Sequence, residues 1–134
     1  MTNNVTANDK ATETAARSSD EPIFHLALPE DWQGAFEIGE YRWSTRGKTL
    51  DAVGFIHCST AVQIEATANR FYGDLAHLVL LTIDPVAVTS EVLWEPPAPG
   101  VDELFPHIYG PLPIAAVNMT TMWTRHGEGW VLKT

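Results

Sequence analysis

Three of the chain's five histidines lie inside short, mostly apolar stretches: His25 in IFHLAL, His57 in GFIHCST and His107 in FPHIYGPLP. Imidazole titrates near neutrality, so a histidine held in a defined place can move a proton, orient a hydroxyl or ligate a metal. Side chains alternate along a strand. On that rule His25 shares a face with Ile23 and Ala27, and His57 shares one with Phe55 and Ser59, while His107 and Tyr109 oppose Ile108. Three strand-borne histidines set opposite large apolar side chains outline a cleft. Each also has a plainer reading, as a satisfied hydrogen-bonding residue near a strand end. His77 and His126 lie beside glycine turns and read as surface residues.

Other side chains could join them. Tyr109 and Trp94 would offer aromatic surface to a ring, or belong to the core as Trp123 and Trp130 do. Glu95, between LW and two prolines, is either a solvated loop acid or a site carboxylate. A metal held by His25, His57 and His107 would support a small metal-dependent hydrolase. The close ligand pairs that mark most zinc sites are missing, however, and no metal is expected. Cys58 points away from His57 and reads as a small buried residue rather than a nucleophile. Ser59 lacks the Gly-x-Ser-x-Gly elbow, and neither a Walker loop nor a Gly-x-Gly-x-x-Gly run is present.

Short strands and few helices must position these groups. IFHLAL (23–28) reads as a strand between prolines, followed by a proline-led helix in PEDWQGAFEIGEY. Residues 42–53 read as loop with one short strand. GFIHCST is a strand whose Ser59 or Thr60 caps a helix in AVQIEATANRFYG, with Val62, Ile64, Ala66, Ala68 and Phe71 on its apolar side and Gly73 at its end. AHLVLLTID is a buried strand and VTSEVLWE another. IAAVNMTTMWTR and GWVLKT read as two late strands. The order predicts an α+β fold with a compact, split, mixed or antiparallel sheet.

Length and charge narrow the function. The chain has 134 residues, enough for one domain over 21–134 after a polar tail, 1–20, whose composition predicts disorder. Net charge is −9, which disfavours duplex nucleic acid as a partner but allows one small anionic ligand near Arg42, Arg46 or Arg70. No run is long and apolar enough to span a bilayer, no secretory pattern opens the chain, and the single cysteine suits a reducing compartment. The expected location is the cytoplasm, with no membrane partner.

GFIHCST, the Arg70-Phe71 pair about ten residues later, LWE and LFPHIYGPLP, in that order, resemble the small bacterial family called domain of unknown function 952, over roughly residues 23–122. The order of elements is also similar to the split-sheet fold of ADP-ribosyltransferases, which bind NAD between two small sheets. That resemblance implies NAD or an ADP-ribose-like nucleotide as ligand, and transfer or hydrolysis at the nicotinamide glycosidic bond. It implies that His25 holds a ribose, and that His57 and Ser59, with Tyr72 beyond them, lie by the nicotinamide or a phosphate. Arg70, Trp94, Glu95 and Tyr109 would complete the ligand contacts. His107 stands where those enzymes carry a catalytic glutamate, so it becomes an orienting group or general acid/base, with Glu95 or Glu103 as substitute carboxylates. Relatives that remove a phosphate from RNA use Arg and His instead. The alternative is a non-catalytic nucleotide-binding module, and no protein acceptor can be named.

Overall fold

The computed structural model describes residues 21–127 and 129–132. The polar tail over 1–20 lies outside the described residues. The chain forms β1 (Ile23–Ala27), α1 (Pro29–Ile38), β2 (Glu40–Tyr41), β3 (Trp43–Thr45), β4 (Lys48–Thr49) and α2 (Leu50–Val53). Then come β5 (Ile56–His57), α3 (Ile64–Phe71), β6 (His77–Ile83), β7 (Val92–Glu95), β8 (Phe105–Ile108), β9 (Leu112–Pro113) and β10 (Val117–Thr124).

Two three-stranded sheets dominate, in the orders β1-β6-β10 and β5-β8-β7, with minor pairs β2-β9 and β3-β4. All pairings are antiparallel. This is the α+β class expected.

Burial explains the layering. The central strand β6, HLVLLTI, is apolar on both faces because both are covered. Val79, Leu81 and Ile83 face a core between the two sheets, shared with Ile56, Cys58 and Ile108 and closed by Trp32 and Ala35 of α1. Leu78 and Leu80 face a second core with Ile64 and Ala68 of α3, Tyr72, Trp123 and Trp130. The first sheet is thus the middle layer, and the outer face of β5-β8-β7 is left half-open to solvent.

Local chemistry sets the boundaries. Pro29 opens α1, and Gly39 closes it at φ 95°, a left-handed cap that glycine adopts freely. Before α3, Thr60 Oγ1 accepts from Gln63 N at 3.2 Å and Gln63 Oε1 accepts from Thr60 N at 2.9 Å. That reciprocal pair has the form of a capping box and closes the turn that leads into α3, whose own cap position, Gln63, has no side-chain cap bond. The helix stops at Phe71, short of Gly73, and its apolar side is narrower than expected. Ile64 and Ala68 are buried, but Val62 and Phe71 are exposed.

Two expectations are corrected. Residues 42–53 hold β3, β4 and the one-turn α2 capped by Thr49; elements this short show no periodicity to read. GWVLKT is not a strand where it is described. Asn69 of α3 takes the place of a ladder, accepting from Trp130 N at 2.7 Å and donating to Trp130 O at 3.0 Å. The Trp130 indole donates to Tyr72 O at 2.9 Å and is fully buried.

The two sheets meet where β1 passes the end of β5. Phe24 and Ser59 exchange backbone hydrogen bonds, both of 2.8 Å. His25 lies inside this seam. Its Nδ1–H donates to the His57 carbonyl, and its Nε2 accepts from the Tyr41 hydroxyl at 2.8 Å. Its face with Ile23 and Ala27 is the core between the sheets, not a cleft wall. Burial pushes the His25 pKa down to about 4.

Trp130→Ala should lower the unfolding free energy by about 3–5 kcal/mol, the usual cost of emptying a large aromatic site. It would be read as an earlier urea midpoint at similar slope; a loss below about 1 kcal/mol would show that this segment does not close the second core. His25 makes stability depend on pH. Below about pH 6.5 the unfolded chain binds a proton that folded His25 refuses until about pH 4, so its contribution is whole above pH 6.5 and is lost as pH falls. Between pH 8 and pH 5 that loss is about 2 kcal/mol from this residue. His25→Gln, less stable overall, should show a shallower decline across that range, whereas an unchanged slope would count against a neutral, buried His25.

Candidate functional site

The site is built on the half-open face of the β5-β8-β7 sheet. In its register Ile56 pairs with Ile108 and Ile108 with Val92, a row that faces the core. The next row turns outward: His57 pairs with His107, and His107 with Leu93. Glu95 follows two residues after Leu93, on the same face.

The prolines and glycine of FPHIYGPLP have separate causes. Pro106 is fully buried on the central strand, and its carbonyl accepts from Cys58 N at 3.0 Å. A strand residue directs its N–H and C=O to the same side. The donor that Pro106 lacks therefore falls where β5 has already ended, and proline is tolerated there. At Gly110 an added Cβ would lie 2.0 Å from Ser90 Oγ. Only glycine lets the two segments close up, with Tyr109 N donating to Glu91 O at 2.8 Å.

This framework brings one carboxylate and two donors together. Glu95 Oε1 accepts from the Tyr109 hydroxyl at 2.7 Å and from His107 Nδ1 at 2.8 Å. The Tyr109 bond, then the His107 bond, holds the Glu95 pKa below its ordinary value. The same carboxylate pushes the Tyr109 hydroxyl up to about 12. An ionised carboxylate only accepts, so the Nδ1 of His107 carries the proton. The other ring nitrogen, Nε2, is buried and has no partner among the described residues.

Aromatic rings enclose it. Phe55 stacks on His107 with centroids 4.1 Å apart and planes 16° apart. His57 stands edge-on to His107 at 5.3 Å, and Phe55 also contacts His57 and Tyr109. His57 is half-buried. Burial first, and His107 second, bring its pKa down to about 4. A neutral His57 beside a Glu95–His107 pair can accept a proton or orient a hydroxyl.

Of the residues singled out from sequence, the structure unites His57, His107, Glu95 and Tyr109. His25 lies behind them in the core, 2% exposed, with both ring nitrogens engaged, so it has none left for a ribose. Ser59 is buried in the seam and bonds Thr67 Oγ1 at 3.2 Å instead of facing the site with His57. Trp94 is on the core face of β7, packed against the inter-sheet core. Arg70 is exposed on α3, its guanidinium over the Phe71 ring. Arg42 pairs with Glu40 and Asp51, and Arg46 pairs with Asp74, so these arginines do not gather around an anion. Glu103 accepts from Gln63, and the Tyr72 hydroxyl bonds Thr45. The residue missed is Phe55. Alternation puts it on the His57 face, but it is not among the candidate contacts singled out from sequence.

Among the described residues no group of three His, Cys, Asp or Glu side chains is placed to hold a metal, and His25, His57 and His107 do not converge into a ligand set. Cys58 is buried, which pushes its thiol well above the usual range and leaves it a poor nucleophile. No helix among the described residues is long and apolar enough to cross a membrane.

Comparison with known proteins agrees with the motifs. A crystal structure of protein CC0527 from Caulobacter crescentus superposes with a TM-score of 0.69 at 27% identity, covering 81% of this chain and 91% of that one. A double mutant of CC0527 gives 0.69 at 28% identity with the same coverage. Its solution NMR structure gives 0.67 at 27%, covering 81% and 90%. No curated protein matches. The family model described as "Protein of unknown function (DUF952)" matches residues 26–120, and the chain belongs to that family.

Proposed function

We propose that the protein is an enzyme acting on NAD or an ADP-ribose-like nucleotide, with the Glu95 carboxylate as its working group at the nicotinamide glycosidic bond. One observation carries this reading. Glu95 of β7 reaches His107 of the neighbouring β8, and His107 stands where the resemblance to ADP-ribosyltransferases implies a glutamate. Oε1 accepts both protein donors, and Oε2 is left for a ribose hydroxyl. As the bond to nicotinamide breaks, positive charge develops on the ribose, and a fixed carboxylate beside it stabilises that charge. Phe55 and Tyr109 offer ring surface for the base. With Arg42, Arg46 and Arg70 engaged elsewhere, the reading rests on ribose and ring recognition and not on phosphate contacts.

Thermal unfolding with NAD, ADP-ribose and nicotinamide, followed by chromatography for released nicotinamide, tests it. A ligand at a hundredfold its Kd adds about 2.7 kcal/mol and shifts the midpoint by several degrees. Glu95→Gln should keep the NAD shift and lose about a hundredfold or more in nicotinamide release. A shift without release in the wild-type chain would make the protein a non-catalytic binding module. No shift and no release would overturn the reading.

A further inference from the structure

We infer that the protein associates with a second copy of itself through β10, the two strands pairing antiparallel about a two-fold axis at Thr121. This goes beyond the ligand reading above and does not depend on it.

The middle sheet has one closed edge and one open one. In the order β1-β6-β10, the outer edge of β1 is taken by Ser59, whose backbone exchanges hydrogen bonds with Phe24. β10 stands at the other edge. Asn118 through Met122 are exposed there, Met119 by 58% and Met122 by 60%. Successive residues of a strand direct their backbone groups to opposite sides. Phe24 turns away from β6, so Ile23, His25 and Ala27 turn towards it and meet Ile83, Leu81 and Val79. Thr82 and Leu80 therefore turn to β10, where they meet Met119 and Thr121. The bonds from Asp84 N to Ala116 O and from Arg125 N to Ala76 O keep the same parity. The N–H and C=O groups of Thr120 and Met122 are left pointing outward, with no partner among the described residues.

An open edge is a template for another strand, and proteins usually blunt theirs with charge or proline. β10 has neither. VNMTTMWT contains no proline, and no Asp, Glu, Lys or Arg lies between Glu103 and Arg125. The bulge between Val117 and Met119 sits at the strand's start and leaves the register regular from Met119 on. Charge also selects the occupant. A chain of net charge −9 repels its own copy in general, but this stretch sets no like charges together. A charged peptide strand would find no opposite charge on β10. Closure agrees, because two paired β10 edges satisfy each other and the far edges are already bonded to Ser59, so association stops at two.

Parity fixes the register. A two-fold axis through an antiparallel pair sets a residue opposite its own copy. Thr120 and Met122 flank Thr121, so an axis there lets Thr120 exchange both bonds with the partner's Met122, and Met122 with the partner's Thr120. An axis at Met122 would call on Thr124, half-buried at the strand's end, and one at Thr120 on Asn118 in the bulge. Thr121 then faces the partner's Thr121 in a pair without mutual hydrogen bonds, with Cα atoms about 4.5 Å apart.

Sedimentation equilibrium of the full chain without nucleotide, up to about 100 µM, tests this. The mass should rise with concentration towards twice 14.8 kDa. Thr121 is exposed, so Thr121→Lys and Thr121→Glu should fold, and like charges at the axis should raise the dimer Kd about tenfold or more in each. Mixing the two variants should restore association. Thr121→Cys should form an interchain disulfide under mild oxidation, whereas Met119→Cys, set against the partner's Trp123, should not. In the wild-type chain, amide exchange at Thr120 and Met122 should slow as concentration rises. A monomer at every concentration, a dimer that neither charge substitution weakens, or equal cross-linking at positions 119 and 121 would overturn the inference, whatever nicotinamide release shows.

Discussion

The hydrogen bond from His25 to the carbonyl of His57 is the joint on which the outer sheet depends. β1 belongs to the middle layer and β5 to the outer one, and beside their shared core they are joined by the Phe24–Ser59 backbone exchange and this side-chain bond. A histidine can sit in that core only if it is uncharged and both nitrogens are used, since an unmet nitrogen would cost about 1–3 kcal/mol. Tyr41 meets the second one. With the His57 carbonyl held from behind, β5 presents the His57 ring outward at one register, and His107 across the ladder takes its place from it.

The two deeply buried histidines therefore differ in kind. Each has one nitrogen directed to an oxygen, a carbonyl for His25 and a carboxylate for His107. His25 spends its other nitrogen on Tyr41 and becomes part of the scaffold. His107 does not spend its other nitrogen, although burial makes an idle polar atom expensive. The fold bears that cost at the end of a half-open sheet face, next to a partly exposed carboxylate. Unmet polarity held in one place, with a well-satisfied histidine behind it, is the pattern expected of a site and not of a packing residue.

Much of this was legible in the residues, and the misreadings have physical causes. Alternation correctly opposed His57 to Cys58 and set His107 with Tyr109. The same rule separates Trp94 from Glu95, neighbours on one strand that cannot both face a ligand; the ambiguity of their loop-like flanks obscured this. For His25 alternation identified the face but not its surroundings, because only the second sheet turns that face into a core. Ser59 fails for the opposite reason: β5 ends at His57, and beyond a strand's end parity no longer holds. The C-terminal stretch had strand composition but is bound by the side chain of Asn69, a contact spanning 61 residues that no local pattern encodes. Class, main strands and the two site histidines came from periodicity. Which faces were covered depended on long-range packing.

The charge arrangement completes the argument. A carboxylate can be held by cations or by donors that carry no charge, and the two are not equivalent for chemistry. Beside an arginine its field is largely cancelled, and little is left for a cation developing on a substrate. Glu95 is held by a phenol and an imidazole N–H, with no arginine or lysine paired to it among the described residues. Glu40, Asp51 and Asp74 pair with Arg42 and Arg46, so neither of those arginines pairs with Glu95. A carboxylate fixed by hydrogen-bond donors, with no arginine or lysine paired to it, keeps its field open to a positive charge brought beside it.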